Sequence, residues 1–361
     1  MTKQDARAAA PVAPTGRGTG DDGGSPLETV RARVRRRRAS VALAVTAALV
    51  AVVIVGVTTG DYPLTLEQLG RTLLGGGDRL ESYVLFQVRL PRVLMGVLVG
   101  ACLGVAGALL QGVLRNPLAS PDLLGISGGS SVAAVFLLLT FGVTGPSLAI
   151  AAFVGGLAVA AVLLLAAGKR GEAGFRLILA GIGISFLCVA IMNYLMVRSQ
   201  VELAQAALLW VTGSLASTAW WHLLVVGAVA AATLPAVVVS ARWLPIAQLG
   251  AATSAGLGVS VTRVRLTAVI AAVLLTAVTC AFAGPISFIA LCAPAIARSL
   301  LGHGSIAIGT SAITGAALLA GADLVAQFAI PETSLPVGVV TGAIGAVFLL
   351  WLLASTKGRQ L

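Results

Sequence analysis

Arg89-Leu90-Pro91-Arg92 opens a stretch that continues through Gly96, Gly100, Gly104 and Gly107 to Gln111 and then reads Arg115-Asn116-Pro117-Leu118-Ala119-Ser120-Pro121-Asp122-Leu123-Leu124-Gly125-Ile126-Ser127-Gly128-Gly129. The glycines recur near every fourth residue. That spacing lays a smooth stripe along one helix face and lets a neighbouring backbone approach closely in lipid. Pro117 and Pro121 stop the helix. The polar turn they frame needs protein or water around it, because irregular backbone is not tolerated against hydrocarbon.

Composition leads to the same class. The chain is 58% hydrophobic and 10% charged, whereas soluble domains carry about 25% charged residues. A spanning helix needs about 20 apolar residues, and the apolar runs predict an all-α polytopic membrane protein of about ten spans. These are expected at 40–58, 91–112, 120–141, 147–167, 177–197, 220–240, 264–283, 285–301, 306–329 and 336–355. Residues 1–39 read as a disordered basic tail and 40–356 as the transmembrane domain. Arg31, Arg33, Arg35, Arg36, Arg37 and Arg38 immediately precede the first span, so the N-terminus is expected in the cytoplasm. Ten spans return the C-terminal Lys357 and Arg359 to that side, together with Lys169, Arg170, Arg176, Arg242, Arg263, Arg265 and Arg298. Arg71, Arg79, Arg89, Arg92 and Arg198 fall outside.

A second block follows the first. It runs Gly284-Pro285-Ile286-Ser287-Phe288-Ile289-Ala290-Leu291, Ala293-Pro294-Ala295-Ile296-Ala297-Arg298, Gly315-Ala316, Ala322-Asp323-Leu324 and Leu335-Pro336-Val337-Gly338-Val339-Val340-Thr341-Gly342. In these blocks and their order the chain resembles the FecCD-type permeases, membrane subunits of ABC importers for iron siderophores, haem and cobalamin. The resemblance covers roughly residues 40 to 356. It implies a type II ABC importer permease fold in the bacterial cytoplasmic membrane, with ferric siderophore as cargo and haem or cobalamin as alternatives. It also implies three protein partners: a cytoplasmic ATPase, an extracytoplasmic binding protein and a second permease.

Other classes fare worse. The net charge of +11 is largely the cytoplasmic face of a membrane protein and comes with no nucleic-acid motif, so no nucleic-acid partner is expected. The arginine cluster reads first as a topology signal and second as a contact for anionic lipid. A cleavable signal peptide is disfavoured by the long polar tail before the cluster. Cys102, Cys188, Cys280 and Cys292 lie in apolar runs, and His222 and His303 lack a partner at ligand spacing, so neither metal nor cofactor is expected. No Gly-x-x-x-x-Gly-Lys-Ser/Thr loop occurs, so the chain is not read as an enzyme and any ATP hydrolysis belongs to another subunit. An ion-coupled secondary transporter would bury ionisable groups along its path. Asp323 alone is placed well inside a span, where structural pairing is the favoured reading. Gly125-Ile126-Ser127-Gly128 matches an intramembrane serine protease, but Ser127 would need a histidine within reach, and neither histidine is expected there.

Three regions remain as candidates. Arg89 and Arg92 flank Pro91 at the outer mouth of the second span, where they would either snorkel to lipid phosphates or receive carboxylates. The resemblance implies the latter, as docking points for the binding protein, joined by a family arginine where this chain has Gln327. Loss of that charge predicts a heterodimer with a second, related permease rather than a homodimer. The segment at about 244–260 is short, apolar and bounded by Pro245 and Gly258; it resembles the helix that seats in the ATPase, through Leu249, Gly250, Ala251, Gly256, Leu257, Gly258 and Val259. Family members usually carry acidic residues where Ala251 and Ala252 stand. Ser185, Asn193 and Tyr194 are the few polar groups on the fifth span; they line the pathway or make ordinary interhelical hydrogen bonds, and the sequence does not separate the two.

Overall fold

A computed structural model describes residues 26–167, 173–302, 305–330 and 333–356. By backbone proximity the chain divides into Met1–Ala39 and Ser40–Leu361. Among the described residues all regular structure is helical: α1 (Pro26–Thr58), α2 (Leu66–Leu73), α3 (Arg79–Tyr83), a π-helical turn (Val84–Arg89), α4 (Leu90–Leu114), α5 (Ile126–Phe141), α6 (Pro146–Ala167), α7 (Ala173–Arg198), α8 (Val201–Val211), α9 (Trp220–Ala247), α10 (Ala251–Gly256), α11 (Val261–Ala283), α12 (Ile289–Leu301), α13 (Ile308–Phe328) and α14 (Val337–Thr356). Each of the ten expected spans meets a helix. Among the described residues seven helices are long and apolar enough to cross a membrane on length and composition, and α5, α8, α12 and α14 are shorter apolar helices.

Where the boundaries differ, the cause is local. Within the expected tail, α1 already begins at Pro26, because the Arg-rich run has high helix propensity and continues the helix of the first span, with Glu28 complementing the first turn. Residues 1–25 lie outside the described residues. The third span was expected from 120 and its helix starts at Ile126; the eighth was expected from 285 and starts at Ile289. In both, prolines and glycines hold the entry as an irregular turn. Pro245 does not bound the 244–260 segment, since α9 runs past it to Ala247. The short apolar helix α8 has no counterpart among the expected spans.

The glycine stripe decides which helix is central. A Cβ on Gly100 would collide with the Gly315 carbonyl, one on Gly104 with that of Ser311, and one on Gly107 with that of Ala290. α4 therefore meets α13 and α12 backbone to backbone, the contact small residues permit when lipid supplies no hydrophobic drive. The apolar windows of α4 and α11 are each 72% buried, against 11% for α1 and α7. α4 and α11 thus form the axis, while α1 and α7 are peripheral.

The broken entries meet one another. Ser214 N–H donates to the Ala283 carbonyl (2.9 Å) and Gly338 N–H to that of Gly213 (3.3 Å), joining the α8–α9 loop, the Gly284–Phe288 turn and the start of α14. Gln111 Nε2 donates to the Leu291 carbonyl (3.2 Å) on α12. Irregular backbone inside the bundle is satisfied by protein, as an apolar surrounding requires.

Candidate functional site

At the Arg92 end of α4, the charges turn inward. The Arg89 guanidinium donates to the carbonyls of Val57 (2.8 Å), Thr58 (3.2 Å) and Tyr62 (2.5 Å), capping the end of α1. A side chain at Gly60 would strike that guanidinium, so the glycine leaves the room it occupies. Arg89 is 9% exposed. From sequence its charge was free to receive a carboxylate; the structure instead commits it to three carbonyls. Arg92 grips Asp323 side-on, Nη2 to Oδ1 at 2.9 Å and Nε to Oδ2 at 3.0 Å, with side chains 16% and 4% exposed. Gln327 Nε2 donates to the same carboxylate (2.8 Å). Asp323 is therefore structurally paired, and Gln327 fills one of its acceptor positions. Trp220 Nε1 donates to the Phe86 carbonyl (2.8 Å), tying the π-helical turn to α9.

At the Arg115 end, α9 ends at Ala247 and the chain makes the single short helix α10 before α11. Leu249 and Leu257 flank α10 and are 62% and 59% exposed. Ala251, Ala252, Thr253, Ala255 and Gly256 are exposed beside them. Ser254 faces inward, its Oγ donating to the carbonyls of Gly250 (2.7 Å) and Ile246 (2.9 Å). Gly258 turns the chain at φ 73° and Val259 buries with Leu244, Ala247 and Val264. The segment is a small apolar platform pinned from beneath, and an exposed apolar platform calls for a covering partner.

The third region is a cavity of about 350 Å³. Ser185 lines it, with its Oγ donating to the Gly181 carbonyl (2.8 Å). Asn193 and Tyr194 do not; both are exposed, and the Tyr194 hydroxyl accepts from Arg198 Nη1 (2.8 Å). The cavity instead gathers Asp122, Ser127, Thr212 and Ser287 from the broken entries. Ser127 Oγ donates to Asp122 Oδ1 (2.6 Å), and the Phe288 N–H, at φ 69°, lies near the same carboxylate. Asp122, Thr212 and Ser287 were missed in sequence and Ser127 was weighed only as a protease serine, although the two proline-broken segments that carry Asp122, Ser127 and Ser287 were visible and such breaks cluster at membrane ligand sites.

The same geometry removes the protease reading for His222. Its Nδ1 accepts from Ala219 N–H (3.1 Å) at the start of α9, and its ring packs on Trp221 and Phe282, while the Ser127 hydroxyl is spent on Asp122. His303 lies outside the described residues. All four cysteines are buried free thiols. Among the described residues no group of three or more His, Cys, Asp and Glu could hold a metal.

The model of the FecCD transport family matches residues 48–355. The chain is 39% identical over 327 residues to the ferric enterobactin transport system permease protein FepG of Escherichia coli, covering 91% of this chain and 99% of that one. It is 36% identical over 278 residues to the vitamin B12 import system permease protein BtuC of Vibrio cholerae, covering 76% and 83%. Among solved structures it is similar to a metal-chelate type ABC transporter in an inward-facing conformation, at a TM-score of 0.75 and 26% identity over 88% of this chain and 99% of the other.

Proposed function

The chain belongs to the FecCD transport family, and from that premise we propose that this multi-pass ABC importer permease carries ferric siderophore across the cytoplasmic membrane. The similarity to the ferric enterobactin permease along nearly the whole of both chains carries the cargo reading. The ATP that drives transport is hydrolysed by a separate subunit, which seats on α10 through Leu249, Leu257 and the small residues between them. The Arg115 end of α4 is then cytoplasmic, with both termini, and the Arg92 end faces out. There Arg92, Asp323 and Gln327 form a docking surface for the binding protein, and Arg89 holds the frame by fixing the end of α1. A second, related permease completes the path, to which each copy contributes the wall around Ser185 and Asp122.

The test is uptake of radioactive iron into proteoliposomes holding this chain, its permease partner and the ATPase, with binding protein outside and ATP inside. Siderophore-borne iron should accumulate only with ATP. Uptake driven by a proton gradient without ATP would move the chain to the ion-coupled class, and uptake of cobalamin or haem alone would change the cargo. The partner is decided by expressing two differently tagged copies with only the ATPase; an active complex bearing both tags would mean that the chain pairs with itself.

A further inference from the structure

At the root of α10 lies an open cleft of about 170 Å³ into which two guanidiniums converge. Arg115 follows α4 in a left-handed conformation (φ 51°), and its Nη2 donates to the carbonyls of Gln248 (2.7 Å) and Ala247 (3.2 Å). Arg298 reaches in from α12 and donates one bond, Nη2 to Gln111 Oε1 (2.6 Å). Gln248 and Asn116 add amides to the lining. Ser305 adds a buried hydroxyl that has no hydrogen-bond partner among the described residues. Among the described residues no carboxylate lines the cleft and neither arginine has an acidic partner.

Two guanidiniums keep several donors beyond the bonds they make here, in a fork geometry that matches a carboxylate. An uncompensated pair of cations from different elements, beside an idle hydroxyl donor, is a site for an anion. The cleft sits at the end of α4, one of the two most buried helices of the bundle, rather than on a peripheral helix, which disfavours a bilayer lipid. It adjoins the platform on which the ATPase seats. We infer that the Arg115–Arg298 cleft receives an acidic side chain of the ATPase subunit, a charged foothold beside the apolar contact at α10. This rests on the assignment of α10 to the ATPase. It also gives the coupling surface a charged contact where α10 itself, with Ala251 and Ala252, carries none.

The test uses the assembled permease–ATPase complex. Arg115→Lys and Arg298→Lys place a primary amine in the cleft that carbodiimide joins, without a spacer, to any carboxylate in contact. An amide between either position and an Asp or Glu of the ATPase, identified by mass spectrometry, is the expected result. Arg298→Gln should weaken ATPase binding about tenfold or more, the loss of a charge-assisted contact. Ala252→Cys is the control, since its crosslink to the ATPase reports α10 alone. Ala252→Cys crosslinking without any amide from the cleft overturns the inference while leaving the α10 assignment intact. Absence of both overturns the two together. Should inorganic phosphate alone protect both arginines of the isolated permease from phenylglyoxal while no amide forms, the cleft serves a small anion and the inference is again overturned.

Discussion

Arg92 and Arg115 stand at the two ends of α4, and their surroundings are opposite in kind. Arg92 meets Asp323 in a two-point grip that Gln327 completes, with Arg89 nearby buried against three carbonyls. Arg115 and its neighbour Arg298 bond to carbonyls and an amide oxygen, face an open cleft and find no acid among the described residues. Removing one partner of a buried pair leaves a stranded charge, whereas neutralising a cation that faces water leaves little behind. Loss of charge at the first end should therefore cost the fold itself, whatever docks there, whereas at the second end it should cost a partner contact and leave the fold nearly intact.

The sharpest way to break that contrast is Asp323→Ala. It strands Arg92 and should cost about 3–5 kcal/mol of stability in thermal unfolding in detergent. The double variant Arg92→Met/Asp323→Leu should recover most of the loss, and unfolding of Asp323→Ala like the parent would end the claim. Arg89→Ala comes next. It removes the donor from three carbonyls and should cost about 1.5–3 kcal/mol, with limited proteolysis opening first between α1 and α2. Arg298→Gln should change stability by less than about 1 kcal/mol while reducing stimulation of ATP hydrolysis by the permease; a large fall in unfolding temperature would make the two ends alike. Leu257→Asp, on the exposed platform, should stay within about 0.5 kcal/mol of the parent and still uncouple hydrolysis from uptake. Gln327→Arg is the one variant expected to gain. A second cation on Asp323 should add about 0.2–1 kcal/mol, and high salt should erase part of it.

Much of this architecture is legible in sequence because its signals are local. The spacing of Gly100, Gly104 and Gly107 states that a backbone will come close, and Ser311, Gly315 and Ala290 supply it. The apolar runs give a helix at each of the ten expected positions, and the small, apolar run ended by Gly258 gives an exposed short helix. What escaped depends on distant residues. Arg89 looks free because the carbonyls it caps lie 27 to 32 positions earlier. Asp122 looks like a turn residue, since the Phe288 amide that meets it belongs to another proline-broken segment. Asn193 and Tyr194 were drawn in by polarity alone, and helix phase turns them away from the cavity that Ser185 faces.

The fastenings of α10 share one property. Arg115 reaches the carbonyls of Ala247 and Gln248, Ser254 those of Ile246 and Gly250, and Gln248 Nε2 that of Gly112 (2.8 Å). Every acceptor is main chain, and main chain is the same whatever residue occupies the position. The outward side of α10 is therefore free to drift over generations together with any partner that covers it, because its anchorage reads no side chain on that side. A permease built this way can adapt that face by surface substitution without disturbing the bundle above.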